Sequence, residues 1–323
     1  MLRSHIESCR RERLSLVMVL QFGSRRMFDV IVVGGGPAGL SAALMLGRCR
    51  RRVLVCDLGE PRNRRSQAMH GYLTRDGVRP ATFADLGRTE LKQYGVEMRA
   101  VGVTAACRGA DRFAVTLSDG REEQARFLLL ATGVVDDLPL VPGMDDCYGR
   151  SVFHCPYCDG WEWSDRRFAA MGRPLEAAKL ALALTNWSRD VLLCTHGRAL
   201  ARRERERLER NRVTVRTEPI VRLEHQSGSL TAVVLASGEA IARDVLFFST
   251  SQHPQSDIAV RLGCTLTRRG TVKTGTLSDT NVPGVFVAGD ASRDAQFVVV
   301  AAAEGVKAAV AINQALLRRE LAP

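Results

Sequence analysis

Missing from the sequence is any run of about 18 apolar residues, the length a membrane-spanning helix needs, so no membrane span is expected. Missing too is a second close pair of cysteines or histidines that would complete a zinc site around Cys155 and Cys158, so no metal is expected. The cysteines are not a secreted disulfide framework. They number nine, at Cys9, Cys49, Cys56, Cys107, Cys147, Cys155, Cys158, Cys194 and Cys264, an odd and scattered set with one close pair. A reducing cytoplasm fits better, with one working pair and mostly buried bystanders. No nucleic-acid motif with interleaved aromatics accompanies the basic segments.

What is present is an ordinary globular composition, 46 % hydrophobic and 25 % charged, in 323 residues, enough for two domains with separate cores. The net charge is +11 and arginine dominates. Residues 1–26 hold six Arg and two Glu; Arg202–Arg212 holds six Arg and three Glu. The second run mixes signs at helical spacing (Arg203/Arg207, Glu206/Arg210) and reads as a solvated helix face. Residues 1–26 read as a loosely ordered extension, or as an upstream start with Met27 as the natural first residue. Their apolar stretch has no small-x-small cleavage site after it.

Phe28–Val33 reads as a buried strand. It runs into Gly34, Gly36, Pro37, Ala38 and Gly39 at GxGxxG spacing, then into an apolar helix. Gly34 permits a tight turn, Gly36 lets a pyrophosphate approach the backbone, and Gly39 lets helix and strand pack closely. Arg52–Asp57 reads as a second strand ending in an acid, 18 residues beyond Gly39, at the place of a ribose ligand. Strand, glycines, helix, strand and acid together specify dinucleotide binding.

The Cys-Pro-Tyr-Cys segment, with His154 before it and Asp159 after it, has the spacing of a pair that cycles between dithiol and disulfide. A thiol there needs a base near neutral pH. His154 and Asp159 are the candidates, against plain roles as a structural histidine and a helix-turn acid. His253 reads as a loop histidine, and Trp161, Trp163 and Trp187 read as packing residues.

Two more strands end in Ala131-Thr132-Gly133 and in Gly289-Asp290, with Gln296 and an apolar helix beyond. In this order, and with the cysteine pair in mid-chain, the sequence resembles the low-molecular-weight thioredoxin reductases among the pyridine-nucleotide-disulfide flavoproteins. That resemblance implies an α/β fold of two Rossmann-like, three-layer nucleotide-binding domains, the second inserted in the first. The expected division is 27–143 and 253–323 for an FAD domain and 144–252 for an NAD(P)-like domain opening on the cysteine pair. It implies FAD held by the glycine turn, Asp57, Ala131–Gly133, Gly289, Asp290 and Gln296. It also implies a homodimer, Cys158 as the flavin-proximal sulfur and Asp159 as the acid/base. His70, in Met69-His-Gly-Tyr-Leu73, lies where the FAD domain is expected to approach the flavin and is a further candidate for a site role.

The second nucleotide turn departs from that family. Gly172-Arg-Pro-Leu-Glu-Ala177 has Pro174 where a glycine is expected, and Thr195-His-Gly-Arg198 stands where paired arginines would clamp a 2′-phosphate. NADP(H) binding is therefore expected to be weak or absent, unless a displaced cluster of Arg198, Arg202 and Arg203 serves. The Cys-Pro-Tyr-Cys tetrad resembles the dithiol oxidase branch that closes the disulfides of gliotoxin, holomycin and romidepsin. The implied reaction oxidises a small-molecule dithiol, with FAD as electron sink and O2 or NADP+ as acceptor. An NADPH-dependent reductase of thioredoxin type and a flavin redox sensor without turnover are the alternatives.

Overall fold

The computed structural model describes residues 27–249, 251–292 and 295–321. The extension read at 1–26 and Thr250 of the second crossover lie outside them. The chain divides into two compact units: Leu86–Gly133, Pro254 onward and the stretch ending at Glu60 form one, and Pro61–Asp85 with Val134–His253 form the other. Residues 61–85, placed in the FAD domain by the sequence reading, thus group with the second unit.

The first unit is built on strand β1 (Phe28–Val33), helix α1 (Pro37–Arg48), β2 (Val53–Cys56), the part of α2 (Pro80–Lys92) from Leu86 on, β3 (Glu97–Arg99), β4 (Val103–Arg108), β5 (Phe113–Leu117) and β6 (Glu122–Leu130). The sheet runs β3-β2-β1-β6-β5-β4. β1 pairs parallel with β2 and β6, which aligns their carboxyl ends. β6 changes character along its length. Its first half alternates exposed and buried residues and pairs antiparallel with β5. Its last three residues, Leu128–Leu130, are apolar and buried, as a strand covered on both faces requires.

The second unit contains β7 (Val134–Asp136), α3 (Met144–Cys147), β8 (Val152–Phe153), α4 (Pro156–Asp159), β9 (Phe168–Met171), α5 (Pro174–Leu184), β10 (Val191–Cys194), α6 (Arg202–Arg210), β11 (Thr214–Arg216), β12 (Ile220–Gln226), β13 (Ser229–Leu235), β14 (Ala240–Ala242) and β15 (Val245–Phe248). Its parallel sheet runs β11-β10-β9-β15-β8, and β12-β13-β14 form a separate antiparallel sheet. β9, β10 and β15 are buried along their whole length, in keeping with their continuous apolar runs. The charged run at 202–210 forms α6, with Leu208 as its one buried residue and Arg202 paired to Glu206. The solvated-face reading of that run therefore holds.

The chain leaves the second unit through β16 (Gln252–Pro254), which pairs with β7. It then forms α7 (Ile258–Arg261), β17 (Val285–Val287) and α8 (Val298–Glu320) in the first unit. β17 pairs parallel with the apolar end of β6. By length and composition α8 would suffice to cross a membrane. Here Ala301, Ala302, Gly305, Ala308, Ala309, Ile312 and Leu316 are buried, and the helix packs against α1.

Close backbone packing sets the glycines apart. Gly34 sits at φ +103°, and a Cβ there would fall on the Ala131 carbonyl. A Cβ on Gly39 would fall on the Gly34 carbonyl, and one on Gly305 of α8 on the Ala38 carbonyl of α1. A Cβ on Gly36 would meet nothing within 4 Å. Gly305→Ala is expected to force α1 and α8 apart and to destabilise the fold by about 1–3 kcal/mol, read as a lower unfolding temperature of the apoprotein. Gly36→Ala is expected to leave that temperature unchanged while weakening retention of bound dinucleotide, read as cofactor content after dialysis.

Candidate redox active site

Cys155 and Cys158 are joined in a disulfide with their Cα atoms 5.3 Å apart. Pro156 sets the first turn of α4, and Cys155 stands at its N-cap in extended conformation. The Cys155 carbonyl accepts from the N–H of Cys158 at 3.1 Å, which closes the turn around the bridge. α3 precedes α4 in the unit, so the cysteine pair does not open the unit as the sequence reading expected. Gly160 stands at the C-cap of α4, where a Cβ would press on the Pro156 carbonyl and the Trp187 ring. Trp163 and Trp187 pack on the core of the unit. Trp161 does not: it is 78 % exposed, and with Tyr157 at 73 % it leaves two aromatic side chains in the open beside the pair.

Asp159 and His154 flank the disulfide, and their environments differ. Asp159 is half-buried beside Glu162. Burial first, and the Glu162 charge second, raise its carboxyl pKa to about 7, with the His70 charge acting the other way. A cavity of about 390 Å³ opens here, lined among others by Asp159, Glu162, His70, Arg150, Arg166 and Trp163. His70 Nδ1 lies 3.4 Å from Glu162 and 3.5 Å from Asp76. The histidine that the sequence reading only suspected is thus on the Asp159 side of the pair.

His154 turns into a hydrogen-bonded cluster. Asp136, with its side chain 4 % exposed, accepts from Arg62 Nε at 2.7 Å, Arg62 Nη2 at 2.6 Å, Gln252 Nε2 at 2.8 Å and the Tyr148 hydroxyl at 3.1 Å. Burial opposes the charge on Asp136, but Arg62 above all, with Gln252, outweighs it and holds the carboxyl below its ordinary range. Burial also keeps the Tyr148 phenol protonated. Arg62 Nη2 lies 3.0 Å from His154 Nε2, and the Tyr148 hydroxyl lies 3.2 Å from His154 Nδ1. Guanidinium has only protons to offer, so His154 Nε2 accepts. Tyr148 spends its proton on Asp136, so His154 Nδ1 carries a hydrogen and donates. Burial, opposed by the Asp136 charge and reinforced by Arg62, lowers the His154 pKa to about 4 and keeps the ring neutral. Both ring nitrogens are engaged inside this cluster, which leaves Asp159 as the titrating group next to the pair. Sequence reasoning missed Arg62, Asp136, Tyr148 and Gln252, which no motif links. His253, read as a loop histidine, lies on β16 and pairs with Asp137 at 2.9 Å on the surface.

In the first unit the expected cofactor residues fall at the carboxyl ends of parallel strands. Gly34, Gly36, Pro37, Ala38 and Gly39 follow β1, Asp57 follows β2, Ala131, Thr132 and Gly133 follow β6, and Gly289 and Asp290 follow β17. Gln296 lies two positions before α8, next to its N-cap Phe297. α1 has no side-chain cap and no acid in its first turn, so its leading N–H groups face the open space at Gly36. Asp57 Oδ2 accepts from Arg88 at 3.2 Å. Gly289 is at φ +78°, and its N–H donates to the buried Glu304 at 2.9 Å. An uncapped helix, a bare glycine and an acid at the second strand fit the pyrophosphate and ribose of FAD.

The corresponding turn of the second unit fits a dinucleotide poorly. Pro174 opens α5 without an N–H, and Glu176 puts a carboxylate in the first turn. A Cβ on Gly172 would collide with Ser249, so that glycine serves internal packing. His196 Nδ1 is spent on the Ile220 N–H at 3.0 Å. Arg198, Arg202 and Arg203 are exposed nearby, with Arg202 held by Glu206 at 2.7 Å. Among the described residues no cluster of His, Cys, Asp or Glu is arranged to hold a metal ion.

The family profile described as pyridine nucleotide-disulphide oxidoreductase matches residues 28–305. The thioredoxin reductase sirT of Leptosphaeria maculans is 31 % identical, over 92 % of this chain and 96 % of its own. The thioredoxin reductase aclD of Aspergillus oryzae is 30 % identical, over 88 % and 95 %. Among solved structures, HlmI superposes with a TM-score of 0.90 at 36 % identity, covering 93 % of this chain and 96 % of that one. An oxidoreductase from Agrobacterium tumefaciens gives 0.85 at 34 %, covering 90 % and 99 %. The fold of two Rossmann-like units is shared with these solved structures, and the chain belongs to the pyridine nucleotide-disulphide oxidoreductase family as an FAD-binding disulfide oxidoreductase.

Proposed function

We propose that the protein oxidises a small-molecule dithiol to an intramolecular disulfide through Cys155 and Cys158. The observation that carries this direction of electron flow is the second nucleotide turn, where Pro174 and Glu176 replace donors with a ring and a negative charge. A site so poor for NADPH favours electrons that arrive from substrate thiols.

A substrate thiolate attacks Cys155 Sγ, the Cys155–Cys158 bond breaks, and Cys158 leaves as thiolate. Asp159 takes the proton of the second substrate thiol, which then attacks the substrate sulfur of the mixed disulfide and releases Cys155. The cyclic disulfide departs, and its two electrons remain on the cysteine pair. When bound, FAD supplies the two-electron sink for that pair, and O2 or NADP+ is the final acceptor. A carboxyl that titrates near 7 both accepts and returns a proton at neutral pH. The exposed Tyr157 and Trp161 offer apolar surface to a small substrate beside Cys158. The family resemblance supports a homodimer, and the scattered thiols support a reducing cytoplasm. The reading as an NADPH-dependent reductase is favoured by the names of the relatives and by the exposed Arg198 and Arg203.

Anaerobic mixing of the holoenzyme with dithiothreitol or with NADPH decides between these directions. Fast loss of the flavin's visible absorbance with dithiothreitol but not NADPH, reversed by air with peroxide release, is expected. Fast bleaching by NADPH would overturn the proposal. Cys155→Ser and Cys158→Ser are each expected to abolish bleaching by dithiothreitol while leaving flavin bound. Asp159 must be ionised to take a proton, and its ionised fraction grows as pH rises towards 7. The ratio of wild-type to Asp159→Asn bleaching rates is therefore expected to climb about tenfold per unit below pH 7 and to flatten above it. Taking the ratio removes the substrate thiol's own titration.

A further inference from the structure

The cluster around Asp136 joins four separate parts of the second unit. Asp136 lies on β7, by which the chain re-enters the unit, and Gln252 lies on β16, by which it finally leaves. Arg62 comes from the segment 61–85, Tyr148 follows α3, and His154 is the residue before Cys155. The donor directions form a closed circuit. Arg62 donates to Asp136 and to His154 Nε2, His154 Nδ1–H donates to Tyr148, and Tyr148 donates to Asp136. Each hydrogen bond fixes the proton position of the next, so only the neutral Nδ1–H tautomer of His154 satisfies the circuit.

We infer that Arg62, Asp136 and Tyr148 are positioning residues for the disulfide: through the two nitrogens of His154 they fix the main chain that presents Cys155 to an incoming thiolate. His154 then acts as a bridge with one acceptor and one donor, and not as a base. Attack on a disulfide needs a thiolate in line with the bond, so a loosened Cys155 slows exchange without abolishing it. The inference holds for either direction of electron flow. It rests on Cys155 and Cys158 being the reacting pair, the part of the proposal above that it needs.

A primary amide offers one acceptor and one donor but takes no proton near neutrality, so His154→Gln separates the two roles. His154→Phe keeps the bulk and removes both bonds. The readout is the rate at which dithiothreitol bleaches the flavin of each holoenzyme. His154→Gln is expected to keep at least about a tenth of the wild-type rate and His154→Phe to fall below it. Loss of a base costs about 10²–10⁴-fold, so a matching collapse of both variants at that scale would overturn the inference, as would a His154→Phe enzyme as fast as wild type. If neither variant folds, nitrogen-15 spectra of histidine-labelled wild-type protein decide. A His154 ring that stays neutral with the proton on Nδ1 between about pH 5 and pH 8 supports the circuit, and a ring that titrates there or carries its proton on Nε2 overturns it. Cys155→Ser tests the underlying reading separately, because unchanged bleaching in that variant would mean that the pair is not the reacting one.

Discussion

A carboxylate inside a protein must be matched by donors or give up its charge, and the second unit is organised around one that keeps it. Asp136 is matched by a two-pronged guanidinium, an amide and a phenol. Those donors come from three places in the chain, so satisfying one charge ties the two connecting strands to the segment that carries the cysteines. Removing Arg62 would leave the charge buried and underpaired, which is costlier than never having placed it there.

The same physical effect acts with opposite sign on the two groups beside the disulfide. Burial disfavours charge on both His154 and Asp159. For the imidazole this lowers the pKa out of the neutral range, and for the carboxyl it raises the pKa into it. Proximity in sequence would have nominated the histidine, because an unperturbed imidazole titrates nearest to neutral pH. Environment reverses the choice.

Motifs whose chemistry depends on consecutive residues were legible in the sequence. The glycine turn after β1, the acid after β2, the Ala131–Gly133 and Gly289–Asp290 strand ends, and the cysteine pair all stand where the reading put them. Pro174 was also legible, since a proline states its missing N–H wherever it occurs. The Asp136 cluster was not. Its members are spaced from 62 to 252, and each looks ordinary alone: an arginine among many, an acid in a polar break, a tyrosine before a strand. Only the fold reveals which arginine meets which acid. The exposure of Trp161 was misjudged for a related reason, because composition says that tryptophan is apolar but not which of three finds a core. The grouping of 61–85 with the second unit likewise has no local signature.

The discontinuous make-up of the second unit bears on how it can be handled as a fragment. Two cuts, before Val134 and after His253, would appear to release a complete Rossmann unit with its sheet, its helices and its disulfide. That piece would lack Arg62, and with it both prongs on Asp136 and the donor to His154. A recombinant 134–253 polypeptide would therefore inherit the cysteines without the counter-charge that their surroundings were built to need. Grafting the pair onto another scaffold would require carrying the distant 61–85 strip along with it.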